Sequence, residues 1–181
     1  AMADAFKDRL EKSLNAIKQE FEGEKKIEVK EKNMLVGFNG YKKAIDLADV
    51  VILATPPGFR PLHFKYAIDQ DKHVFMEKPV ATDAHGVRQV LETAKVANQK
   101  KLNVVVGLQR RYQYSYLNIL KQVRRGVIGK ITSGQVRWNG AGVWVRERQS
   151  NQTEMEYQMR NWYYFNSVSY THLRAHETRN N

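Results

Sequence analysis

Cysteine is absent from the 181 residues. That excludes a disulfide framework and any thiolate metal centre, and leaves the redox compartment open. Long apolar runs are also missing. The longest, Val50 to Ala54, is strand-sized, far short of the roughly 18 residues that span a bilayer, so no membrane role is expected. The basic n-region and apolar h-region of a signal peptide are not seen at the front, and both cytoplasm and periplasm stay open. No helix-turn-helix, zinc-finger or RNA-recognition pattern is visible. No internal repeat, low-complexity segment or linker is visible either.

Basic charge is plentiful: Lys and Arg number 30 against 19 Asp and Glu, a net charge of +11. Such a balance suits nucleic acid, an anionic cofactor or solvated helix faces. The basic residues are spread between the apolar positions of helical patterns, as at Lys7, Arg9, Lys12, Lys42 and Lys43. That spacing favours solvated faces, and no nucleic-acid partner is expected.

Periodicity supplies the organisation. Phe6, Leu10, Leu14, Ile17 and Phe21 form one stripe at helical spacing, with Asp4 where an N-cap belongs. Residues 22 to 34 are charged and irregular. A short helix follows, with Tyr41, Ala44, Ile45 and Ala48 on one face. Val50 to Ala54 is β-branched and apolar without alternation, the pattern of a strand buried on both faces of a parallel sheet. Pro61 opens the next helix, and His73 to Met76 is the next strand. Asp83 caps a longer helix whose inner face is predicted as Ala84, Val87, Val90, Leu91, Ala94 and Ala97. Asn103 to Gly107 makes a third buried strand. A helix over 115 to 125 turns Leu117, Leu120 and Val123 inward, and Ile131 to Trp138 is a strand of mixed character.

Strand and helix therefore alternate, which implies βαβ units and a parallel α/β sheet. The change near residue 126 marks the start of an α+β domain.

Ligands of open parallel sheets bind beyond the carboxyl ends of the strands. Four clusters fall at such ends: Met2-Ala3-Asp4, Thr55-Pro56-Pro57, Glu77-Lys78-Pro79 and Gln109-Arg110-Arg111. An acid like Asp4, at the end of the second strand of a dinucleotide fold, accepts hydrogen bonds from adenosine ribose hydroxyls and repels a 2′-phosphate. That favours NAD over NADP, although Lys7 and Arg9 keep NADP open, and local sequence by itself favours reading Asp4 as a plain helix N-cap. Lys78 can hold a substrate hydroxyl or carbonyl, or the nicotinamide carboxamide, with Glu77 orienting it. Read locally, the same two residues are a surface ion pair. His63 is a cofactor contact or a surface residue. Arg60, Arg110 and Arg111 meet phosphate, substrate or only solvent.

Taken in order, these segments resemble the glucose–fructose oxidoreductase, inositol dehydrogenase and MocA family (Gfo/Idh/MocA). The matching residues are Asp49 to Pro57, His63, and Asp71-Lys72-His73-Val74-Phe75-Met76-Glu77-Lys78-Pro79. The resemblance covers about residues 1 to 166. It implies an incomplete Rossmann-type sheet over residues 1–126, then the start of an α+β substrate domain over 127–166. It implies an oxidoreductase that moves hydride between NAD, less readily NADP, and a sugar, polyol or related carbohydrate; a non-catalytic dinucleotide- or sugar-binding module on the same fold is the alternative. The parent enzyme is expected to be a homo-oligomer.

The resemblance also assigns roles. Lys78 and Glu77 are the catalytic candidates. Asp4, Thr55, Pro56, Pro57, His63, Glu77, Lys78, Gln109 and Arg110 are the cofactor candidates. A cis bond is expected before Pro79. No metal site is expected.

Two family features are not found. The Gly-x-Gly-x-x-Gly turn that cradles pyrophosphate does not occur, and the family's usual catalytic histidine belongs to a later motif. Residues 168 to 178 look like a translated transposase adapter, so residues 167–181 are expected to be a disordered tail foreign to the enzyme. His172 and His176, spaced i, i+4, fall in it and are not read as metal ligands. The expectation is a piece of a longer enzyme, inactive and weak in NAD binding by itself. The stretches around Trp138 to Trp144 and Glu154 to Phe165 resemble uncharacterised members of the family whose substrate is unassigned.

Overall fold

The computed structural model describes residues 1–21, 27–137, 139 and 142–165. The expected tail and Trp138 lie outside the described residues. No helix among the described residues is long and apolar enough to cross a membrane.

The described chain begins with β1 (Met2–Asp4), α1 (Lys7–Glu20), β2 (Met34–Val36), α2 (Gly40–Asp46) and β3 (Val50–Leu53). It continues with α3 (Arg60–Asp69), β4 (His73–Met76), α4 (Ala84–Gln99) and β5 (Val104–Val106). Then come α5 (Tyr114–Arg124) and α6 (Glu154–Arg160). Short 3-10 turns at Pro57–Phe59 and Gln109–Arg111 follow β3 and β5 directly.

All strand pairs are parallel, and they form two pieces: β1 with β2, and β3 with β4 with β5. Laid on the 3-2-1-4-5-6 order of a dinucleotide fold, β2 and β1 take places 3 and 2. β3, β4 and β5 take places 4, 5 and 6. Place 1, between β1 and β3, holds no strand of the described residues. The predicted α/β parallel sheet is therefore present and incomplete at its centre.

The core forms where β3 and β4 meet α3. Phe64, Ala67 and Ile68 of α3 are fully buried against Val51, Leu53, Val74 and Met76, with Ile45, Val90 and Ala97 closing the cluster. Only one face of β3 shares in it. Val50 is 61% and Ile52 72% exposed, whereas the sequence pattern implied burial on both sides. Residue composition records what a strand can tolerate, and burial needs a covering layer that this face lacks.

Other expectations shift for similar reasons. α4 buries Gly86, Val90, Thr93 and Ala97, while Ala84, Val87, Leu91 and Ala94, expected on the inner face, are exposed. A Cβ on Gly86 would stand 3.0 Å from Pro61, so the missing side chain is what lets this stripe of α4 approach α3. Asp83 caps α4 as expected, accepting from the Gly86 N–H at 2.6 Å. α5 forms, yet Leu117 and Leu120 stay exposed, because it packs chiefly on the turn before it. β2 was not anticipated. It is three residues long and follows a charged stretch, and pairing with β1 defines it rather than propensity. The strand expected from Ile131 does not form over residues 131–137, and Val136 is exposed. A strand needs a partner for its backbone groups, and none of the described residues supplies one.

Candidate active site at the carboxyl ends of the strands

β3 delivers Thr55-Pro56-Pro57 and β4 delivers Glu77-Lys78-Pro79 to the same rim, because the two strands pair in parallel with Leu53 opposite Met76. The Glu77 N–H donates to the Leu53 carbonyl at 2.9 Å, which carries the register into the turns. The Lys78–Pro79 bond is cis, as the family resemblance implied.

Arg60, at the first turn of α3, holds both turns. It is 2% exposed. One guanidinium nitrogen donates to the Glu77 carbonyl and, at 3.4 Å, to the Pro79 carbonyl; the other donates to the Thr55 carbonyl. A planar fork of donors suits such scattered carbonyls. Burial pulls the guanidinium below its ordinary value, and the charge of Glu77 opposes that shift. The sequence readings, phosphate, substrate or solvent, did not include this one: the side chain binds backbone, while still lining the cavity beside the rim.

Lys78 is exposed on the turn so held. The carboxylate of Glu77 leans toward β5, where a Cβ on Gly107 would stand 2.7 Å from its Oε1. Gly107 thus leaves room for that carboxylate. Between the Glu77 and Lys78 side chains no ion pair forms.

His63 is buried one turn further along α3. Its Nδ1 shares a hydrogen bond of 3.1 Å with Thr55 Oγ1. Its ring stacks on Tyr41 at 4.1 Å and lies near-parallel to Phe59 at 6.0 Å. Burial, and secondarily the charge of Arg60, pull its pKa down to about 4, so the imidazole is neutral at pH 7. Pro57 is buried, and Pro56 accepts the Phe59 N–H at 3.1 Å to close the turn. Asp4 ends β1, and its Oδ1 accepts the Phe6 N–H at 2.8 Å. The expected helix cap does not form: Phe6, not Asp4, is the N-cap of α1 and carries no side-chain cap, and Asp4 at the strand end only fastens the turn into the helix. Gln109 and Arg110 are exposed in the turn after β5, and Arg110 donates to the Tyr116 hydroxyl at 2.9 Å.

A cavity of about 320 Å³ opens beside this rim. Thr55, Arg60, Glu77 and Lys78 line it together with Trp144, Trp162 and Tyr163. Residue spacing did not place these three aromatic side chains in the site. The aromatic run Trp162-Tyr163-Tyr164-Phe165 was the available signal.

Asp4, Thr55, Lys78 and Gln109 stand at or just after the carboxyl ends of β1, β3, β4 and β5, the end of a parallel sheet where ligands of such folds bind. A family model described as an oxidoreductase family with an NAD-binding Rossmann fold matches residues 4–108. The chain belongs to the Gfo/Idh/MocA family. Among its relatives, an inositol 2-dehydrogenase of Acidothermus cellulolyticus is 33% identical over 45% of this chain and 23% of its own. A scyllo-inositol 2-dehydrogenase (NADP+) of Bacillus subtilis is 36% identical over 50% of this chain and 25% of its own. The structure of scyllo-inositol dehydrogenase from Lactobacillus casei, with bound NAD(H) and scyllo-inositol, superposes with a TM-score of 0.53 at 25% identity. It covers 72% of this chain and 34% of that one. The Gfo/Idh/MocA chain described here thus spans about a third or less of the length of the proteins it resembles.

Proposed function

We propose that this chain is the cofactor-binding part, with the opening of the substrate domain from residue 127, of an enzyme that transfers hydride reversibly between a nicotinamide cofactor and a sugar, polyol or related carbohydrate. The observation that carries the reading is Lys78, exposed on a turn that Arg60 and the parallel register hold beside a cavity. The relatives named for inositol oxidation support a hydroxylated substrate.

Asp4 would receive the adenosine ribose, and the NAD form is preferred because a carboxylate repels a 2′-phosphate. Thr55, Pro56, Pro57, Gln109 and Arg110 would line the cofactor cleft. His63 would act on it through Thr55, whose hydroxyl it holds. The cofactor supplies the hydride chemistry. Lys78 binds the reacting oxygen and polarises it, and the carboxylate of Glu77 offsets the charge of Lys78 in the rim. The parent enzyme is read as a homo-oligomer.

Replacing Lys78 by Ala, in an enzyme of the relatives' full length that carries this sequence, tests the role. Turnover is expected to fall about a hundredfold or more, with NAD affinity little changed. Unchanged turnover would overturn the assignment.

A further inference from the structure

We propose that Trp144, Trp162 and Tyr163 form a stacking wall that holds the ring of a neutral cyclic sugar or cyclitol against Lys78. This rests on the oxidoreductase reading above and narrows its substrate.

The wall is a built object. Trp144 and Trp162 meet edge to face with centroids 5.8 Å apart, and Tyr163 stands 5.7 Å from Trp162 and 6.3 Å from Trp144. Two separate stretches of chain contribute these rings, and Asn161 fastens them together. Asn161 is 1% exposed. Its Oδ1 accepts the Arg146 N–H at 2.7 Å, and its Nδ2 donates to the carbonyls of Arg146 and Tyr157 at 3.1 and 3.2 Å. Tyr164 adds a second fastening. Its hydroxyl accepts the Val143 N–H at 3.2 Å and donates to the Val143 carbonyl at 2.6 Å. The Arg146 guanidinium lies 5.6 Å from the Trp144 ring. The following layer is tied to the cofactor domain through Arg160, which pairs with Asp8 and covers the ring of Phe6.

The chemistry of the cavity selects the ligand. Aromatic faces carry partial negative charge, and the axial C–H groups of a sugar or cyclitol ring carry partial positive charge, so one flat side of the ring stacks while its hydroxyl edge stays free. That edge meets Glu77 and Lys78, the few polar groups a small-ligand pocket needs for orientation. An anionic ligand finds few free donors: both terminal nitrogens of Arg60 are engaged by backbone carbonyls, and the Glu77 carboxylate lines the cavity beside Lys78. An open-chain polyol has no flat apolar side and loses more rotor freedom on binding. Trp144 is 41% exposed, so part of the wall remains open to a ligand rather than being sealed by its neighbours.

Equilibrium binding to the 181-residue chain, without cofactor, tests this. Methyl β-D-glucopyranoside and myo-inositol are compared with sorbitol and glucose 6-phosphate by saturation-transfer NMR and tryptophan fluorescence. Both neutral rings are expected to bind, with sorbitol and the phosphate about tenfold weaker or more. Trp144→Ala should weaken ring binding about tenfold with the thermal melt retained, and Trp162→Phe should keep most of it. No ring binding overturns the proposal. Equal binding of sorbitol overturns it, and so does unchanged affinity in Trp144→Ala. The two readings fail separately: ring binding without any nicotinamide-linked turnover in the longer enzyme removes the oxidoreductase reading alone, and turnover without wall-dependent binding removes the wall alone.

Discussion

Arg160 grips Asp8 across 152 positions of sequence, with guanidinium-to-carboxylate distances of 3.0 and 3.1 Å. The same guanidinium lies 4.1 Å from the ring centroid of Phe6 and bonds Glu156 at 3.1 Å. One side chain thus ties the last described helix to the first, and it joins the aromatic layer to the strand end that carries Asp4.

Breaking that tie should loosen the layer more than the core. Arg160→Met and Asp8→Asn are each expected to cost on the order of 1 kcal/mol, with the double variant little worse than either single one. Urea unfolding of the four proteins measures the coupling. The Arg160 hydrogen bond holds the Asp8 carboxyl below its ordinary 3.8. Its contribution is therefore fully present above about pH 4 and disappears as pH falls through the lowered folded-state value. Asp8 is exposed, so salt should reduce the coupling as well.

Arg60 should prove costly to change. Arg60→Met leaves the carbonyls of Thr55, Glu77 and Pro79 without their donor inside the protein. A loss of roughly 3 kcal/mol is expected. Arg60→Lys should recover only part of it, since one ammonium does not reproduce a planar fork. Thermal melts of the two variants decide the matter; a melt unchanged in Arg60→Met would remove the clamp from the account.

His63 makes stability depend on pH in a definite direction. Its folded-state pKa, about 4, lies below the ordinary 6.5. The unfolded chain therefore binds the proton more readily, and stability is complete above about pH 6.5 and falls as pH drops toward 4. The loss over that window is expected to reach about 3 kcal/mol. His63→Phe should flatten the window in urea titrations at pH 5 and pH 7. If the wild-type midpoint is the same at both pH values, the buried neutral imidazole is wrong.

Much of the frame was legible along the chain. Val50 to Leu53, His73 to Met76 and Val104 to Val106 all read as strands, and Asp83 read as a cap, because local steric preference and capping act within a few residues. Glu77-Lys78-Pro79 stood out through its place at a strand end and the family resemblance around it, since read locally it is a surface ion pair. Val87 and Leu91 were misplaced onto the inner face of α4. Two stripes of that helix are apolar enough to bury, and the close approach of Gly86 to Pro61 chose between them.

Taken by itself, the sequence determined the alternation of strand and helix, the parallel class of the sheet, the strand-end position of Lys78 and the family resemblance. These follow from short-range preferences and from short motifs. Only the tertiary structure decided that Arg60 binds backbone, that His63 is neutral behind Thr55, and that Trp144 and Trp162 line one cavity with Lys78. Each of those depends on burial and on partners distant in sequence, and a side chain's charge state and contacts are set by what surrounds it in space.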